Sequence, residues 1–258
     1  MARGRTRGAV DRRTLLVVGL LAIAVVAVAL VLTGGGGSPA ATGAGSVDAP
    51  DGVADDQSET LRSLDSYTLT GTTTMVLGSN VSEVHRTVEA DPRSGNVRAT
   101  VTNREGGATA GMRTDYYTAG ESTYLRYQFE GSNGSVYERT DTATLVNGSL
   151  SSTPSVWGQF DFDRRTIPSG DTLFLVDSPD QIRGDLPTDG EIESISVRAV
   201  VDDETGLVTA FQYHLRARTA GGSTFRYDAT REVTAIGETT VSAPAWLQTA
   251  KDRTVSAS

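Results

Sequence analysis

The sequence predicts an α+β fold that is mostly β: an N-terminal transmembrane helix, then an antiparallel sheet with a few short helices. Three observations carry this. One apolar run near the start is long enough to cross a bilayer. Apolar and polar residues then alternate with period two over segment after segment. Two of the connections between those segments have the form of hairpin turns.

The elements follow in order. Residues 15–32 are an 18-residue apolar run, ~27 Å long at the helical rise, which is enough to span the hydrocarbon core. Arg3, Arg5, Arg7, Arg12 and Arg13 precede it with only Asp11 opposing. Positive flanks stay in the cytoplasm, so the chain beyond Thr33 is expected to face outward as a single-pass membrane protein. A second reading stays open: Arg12-Arg13-Thr14-Leu15-Leu16 has the form of a twin-arginine export signal, cleaved near Ala40, with secretion of the rest. The length of the run favours the retained anchor. There is no cysteine, so neither a lipid thioether nor a disulfide is available.

The chain therefore divides into residues 1–33, a basic N-terminus with anchor or signal, and 34–52, a Gly/Ser/Pro/Ala tether. Residues 53–250 form one extracytoplasmic domain, and 251–258 a tail. Within the domain, residues 53–64 read as a short amphipathic helix carrying Leu61 and Leu64. From Tyr67 the period is two: Tyr67, Leu69, Thr73, Met75 and Leu77 alternate with threonines. The pattern continues through Val84, Val88 and Ala90; Val97, Ala99 and Val101; and Thr123, Leu125, Tyr127 and Phe129. It returns in Ile195, Val197, Ala199 and Val201, then in Leu207, Phe211, Tyr213 and Leu215. A sheet apolar on one face and wet on the other is antiparallel. Residues 91–95 and 202–206 each run from aspartate through a hydroxyl residue to glycine, the chemistry of a hairpin turn. Between 141 and 189 four prolines interrupt the pattern, and loops with one or two short helices are expected there.

Chemistry is sparse. There is no G-x-S-x-G elbow and no phosphate-binding glycine loop. His85 and His214 fall on the polar faces of different strands, and Lys251, the single lysine, lies near the terminus. The carboxylate pairs Asp161/Asp163 and Asp177/Asp180 are weighed against calcium or glycosidic chemistry and read as solvated surface acids. Trp157 and Trp246 read as core or cap. No catalytic residue, metal ligand or cofactor is assigned, and the protein is not read as an enzyme. Asn80, Asn133 and Asn147 open glycosylation sequons. Net charge is −9; without the anchor-side arginines and Asp11, 18 basic residues face 31 acidic ones, or −13. Carboxylates in such excess keep a surface hydrated and exclude nucleic acid as a partner, and the acidic, arginine-dominated balance is similar to that of salt-loving archaeal proteins.

The order of a short helix entering "SYTLTGTTTMVL", consecutive hairpins, a less regular middle, "VVDDETGLVTAFQYHL" and a terminal "TTVSAPAWL" resembles the LolA/LolB-like group. That group includes the bacterial lipoprotein carriers and the mycobacterial LppX and LprG proteins, and the likeness is strongest to haloarchaeal membrane-anchored members. The resemblance implies a curved sheet forming an open half-barrel, with an apolar cavity that receives lipid chains. Leu69, Met75, Val97, Val101, Leu125, Phe211, Tyr213 and Leu215 would line it. The function expected is a membrane-anchored binding module for an apolar or lipid-like ligand, acting in lipid or lipoprotein handling. The alternative is a non-catalytic cell-envelope interaction protein in which the same face is sealed core.

Overall fold

The computed structural model describes residues 53, 57–106, 111–141, 157–183, 186 and 190–255. The expected anchor, the tether and the Asn147 sequon lie outside these residues. Among the described residues no helix is long and apolar enough to cross a membrane.

Helix α1 (Gln57–Ser63) leads into β1 (Tyr67–Leu77), whose threonines and Met75-Val76-Leu77 favour the pleated chain. A meander follows: β2 (Asn80–Asp91), β3 (Asn96–Glu105), β4 (Met112–Ala119), β5 (Ser122–Phe129) and β6 (Ser135–Asp141). After two short strands, β7 (Asp163–Thr166) and β8 (Thr172–Val176), come β9 (Glu191–Val201), β10 (Val208–Arg218) and β11 (Thr224–Thr234), then helix α2 (Leu247–Val255). The eleven strands make one antiparallel, open and curved sheet in the order β6-β5-β4-β3-β2-β1-β11-β10-β9-β8-β7. β11 joins the two halves of the sheet by pairing with β1, with Gly71 opposite Arg231.

Both aspartate-glycine turns form as their residues dictate. Asp91 accepts from the Ser94 amide at 3.1 Å, and Asp202 accepts from the Glu204 and Thr205 amides at 3.1 and 2.8 Å. Gly95 and Gly206 sit at φ 69° and 68°, where a side chain would be strained.

Several elements depart from expectation. The helix expected over 53–64 is described only over Gln57–Ser63. The described part of 141–189 holds two strands and two 3₁₀ turns (Trp157–Gln159 and Pro179–Gln181). In β8, Thr172, Phe174 and Val176 are buried while Leu173 and Leu175 are half-buried, so both faces are apolar and period two is hidden. β4 escaped the pattern for a similar reason: Thr114, Asp115, Tyr117 and Thr118 are all buried, because both faces of this strand are covered. The residues read as a tail belong in part to α2, whose Leu247 and Ala250, with Trp246 just before it, pack against Tyr117 and Tyr124.

Two apolar clusters share the face of the sheet opposite α2's. Leu61 of α1 packs with Tyr67, Leu69, Val88, Ala90, Val97, Ala99, Leu207 and Val233. Phe160 packs with Phe174, Val197, Phe211, Tyr213 and Leu215, its ring 6.2 Å from that of Tyr213.

Candidate functional site

In β1 the odd residues, Thr73 among them, face inward, and Thr68, Thr70, Thr72 and Thr74 face outward. Directly opposed residues share a face, so the register extends this parity across the sheet. Gly71 lies opposite Arg86 on β2 and opposite Arg231 on β11, and the same row continues to Val101 on β3 and Phe211 on β10. Two arginines therefore stand on the inner, apolar face, on either side of a residue with no side chain. A Cβ at Gly71 would meet the Thr230 carbonyl oxygen at 3.1 Å and nothing else within 4 Å among the described residues. A cavity of about 470 Å³ lies on the other, outer side of the sheet at this point: most of its lining residues, among them Thr70, Thr72, His85, Thr87, Thr230 and Glu232, stand at outer-face positions, with Gly71, Arg86, Phe211 and Arg231 as the inward-pointing residues between them. Its size is that of a small-molecule pocket.

The electrostatics here are unusual. The Nη2 atom of Arg86 is buried with no hydrogen-bond partner, although part of its side chain remains accessible. Burial draws its pKa down from 12.5 to about 10, against the pull of Tyr67 and Tyr116. Arg231 is also lowered to about 10, by burial first and then by the like charge of Arg86. Tyr67 is fully buried and its Oη has no partner. Burial raises this phenol to about 12, while Arg86, Arg231 and Arg62 pull the other way. At neutral pH the site thus holds charged guanidinium groups beside a neutral phenol.

Arginines on the outer face are treated differently. Arg113 and Arg126 hold the buried Asp115 at 2.9 and 2.7 Å, Arg216 and Arg218 share Glu193, and Arg226 pairs with Asp228. Among the described residues no carboxylate pairs with Arg86. A buried charge without partner costs several kcal/mol, so its retention calls for a function.

All eight residues expected to line a cavity fall on this inner face. Leu69 and Val97 belong to the cluster under α1, and Phe211, Tyr213 and Leu215 to the cluster under Phe160. Met75 and Val101 are half-buried, and Leu125 is buried. Only Phe211 of the eight borders the cavity. His85 and His214 are on the outer face, hydrogen-bonded to Thr72 and Asp228 respectively. Asp161 pairs with Arg183 rather than with Asp163. Asp180 donates its amide to Ser178 in a 3₁₀ cap. Among the described residues no three His, Asp or Glu gather as metal ligands. Asn80, the first residue of β2, and Asn133, in the bend between β5 and β6, are exposed.

Sequence reasoning passed over Arg86 and Arg231. The signal was present: Val84, Arg86, Val88 and Ala90 share one parity, as do Phe225, Tyr227, Ala229, Arg231 and Val233. In each set a lone arginine interrupts an otherwise inward-facing series.

The chain belongs to a family of unknown function, DUF7537, whose model matches residues 16–250. No curated protein matches the sequence. Among solved structures, it is similar to a DUF1329 family protein from Desulfovibrio piger at 8% identity and a TM-score of 0.29, over 74% of this chain and 92% of that one.

Proposed function

We propose that this member of the family is a non-enzymatic, membrane-anchored extracytoplasmic module that binds an apolar or lipid-like ligand, with a role in lipid or lipoprotein handling. The observation that carries the reading is the inner face itself. One open sheet gathers an apolar surface along its inner face, in two clusters that together draw on most of its strands. An acyl chain laid on such a surface gains ~0.8 kcal/mol per buried methylene, so affinity rises with chain length. The acidic exterior keeps the module dispersed in a salty medium and takes no part in recognition.

The packing of Phe160 and Phe162 over Phe174 and Tyr213 favours a second reading for one half of the sheet, where the face is sealed core and the protein serves as an envelope interaction partner. The test uses the full-length chain purified in a nonionic fluorinated surfactant, which does not mix with acyl chains. Fluorescent fatty acids of increasing length are titrated into wild type and into Val101→Trp, which places a large ring in the row of Arg86. Saturable binding that strengthens with length and is lost in the folded variant supports the module. Absence of binding at every length, with no lipid co-purifying, leaves the envelope reading. External protease on intact cells that spares the domain would refute the outward orientation.

A further inference from the structure

We propose that the depression on the outer face of the sheet, floored by Thr70 and Thr72 and rimmed by His85, Gln212, Thr230 and Glu232, binds a neutral polyhydroxylated ligand, a saccharide of one or two rings. The site goes beyond the lipid-binding reading, in which the exterior takes no part in recognition, and it stands on the opposite face of the sheet from the acyl surface.

Side-chain length shapes the depression. Two neighbouring outer-face rows cross β2, β1, β11 and β10: Thr87, Thr70, Glu232 and Ala210 in one, His85, Thr72, Thr230 and Gln212 in the other. Thr70, Thr72 and Ala210 are half-buried, while His85, Thr87, Gln212, Thr230 and Glu232 are exposed, so the former make a floor and the latter a wall. His85 is fixed in that wall by Thr72 at 3.1 Å and Glu83 at 3.0 Å. The fitness of threonine for a strand accounts for hydroxyls on a wet face. It does not account for Glu232. Glu83, Glu89 and Asp228, the carboxylates in the rows on either side, pair with His85, Arg98 and His214. Glu232 makes no ion pair or side-chain hydrogen bond among the described residues, and neither do Thr70, Thr87, Thr230 and Gln212 around it. The depression thus gathers polar groups that the fold leaves unused, with the short Ala210 beside Glu232 giving that carboxylate room.

The donor set selects the ligand class. No arginine or lysine points outward in these two rows, since Arg86 and Arg231 are directed to the other face, so a phosphate or carboxylate would meet Glu232 as a like charge. A divalent metal ion asks for several oxygen ligands with more than one carboxylate among them, and no three His, Asp or Glu gather among the described residues. An apolar ligand finds hydroxyls where it needs rings and alkyl groups. A sugar answers every group present. Each of its hydroxyls both donates and accepts, as each threonine hydroxyl does; a carboxylate accepts from two vicinal hydroxyls through its two oxygens, and a carboxamide offers a donor and an acceptor side by side. The threonine methyls face the C–H side of the ring.

The experiment titrates maltose, cellobiose and N,N′-diacetylchitobiose, with digalacturonate as the acidic counterpart, into the full-length chain held in a surfactant with a polyethylene glycol headgroup, which brings no sugar of its own. Saturation-transfer NMR and the melting temperature are the readouts. At least one neutral disaccharide is expected to bind saturably and raise the melting temperature, with digalacturonate about tenfold weaker. Thr70→Val and Thr230→Val keep the β-branch and its strand preference and remove one hydroxyl each; together they are expected to weaken the neutral sugar about tenfold with no loss of stability. Glu232→Gln weakens it about threefold and narrows the gap to digalacturonate. Fatty-acid binding is unchanged in these variants, because they leave the inner face untouched. Silence from all three neutral sugars overturns the saccharide site whatever the fatty acids do. Sugar binding that survives the threonine and Glu232 variants overturns its placement, and a melting response to calcium or spermidine in place of sugar overturns the ligand class.

Discussion

Replacing Arg86 with methionine is expected to make the ligand-free protein more stable. The guanidinium is buried with an unpartnered Nη2, and burial lowers its pKa from 12.5 to about 10. At ~1.4 kcal/mol per pKa unit the charge costs folding up to about 3 kcal/mol. Partial access of the side chain to solvent reduces this. Methionine keeps most of the packing of the arginine stem against its neighbours. The net expectation is a gain of about 1–2 kcal/mol, or about 2–8 °C in melting temperature for a domain of this size. Circular dichroism melts of full-length wild type and variant in the same salt measure it.

The sign with pH follows from linkage. Between about pH 10 and 12.5 the unfolded chain holds a proton on this group that the folded chain has released, so wild-type stability rises with pH there. Below pH 10 both states are protonated and the full penalty is present. The advantage of Arg86→Met should therefore be flat from pH 6 to 9 and shrink only at higher pH. A variant less stable than wild type by 1 kcal/mol or more would refute the reasoning, since it would make Arg86 a satisfied structural strut.

Phe211 is 2% exposed and packs against Tyr213, so Phe211→Ala should cost about 3–5 kcal/mol in chemical or thermal unfolding. Burial pushes the Asp115 carboxyl up, but hydrogen bonds from Arg113, Arg126 and Thr100 outweigh it and hold the pKa below the ordinary value. Its contribution is fully present above that ordinary value and is lost as pH falls through the folded one. Asp115→Ala, which strands two guanidinium groups, should cost about 3 kcal/mol at pH 7 and much less at pH 2. With −13 beyond Arg13, molar salt should raise the melting temperature, and an unchanged melt from 0.1 to 3 M salt, concentrations chosen for the test, would remove the case for a salt-adapted surface.

Local chemistry was legible in the residues themselves. Period two follows from the pleat, so Leu69, Val97, Phe211 and Leu215 could be assigned to one kind of face before any strand was paired. Asp91 with Gly95, and Asp202 with Gly206, announced their turns because an aspartate bonds the amides two or three residues on and glycine alone accepts the positive φ. Where both faces of a strand are covered, as in β4 and β8, no alternation exists to be read, and those strands emerged only in the fold. The site was likewise settled by tertiary structure. Arg86 and Arg231 are 145 positions apart, and nothing local says that β11 returns to pair with β1 instead of ending the sheet elsewhere. Register is set by which apolar faces must be buried together, a property of the assembled sheet. That pairing brings two like charges and a glycine into one row.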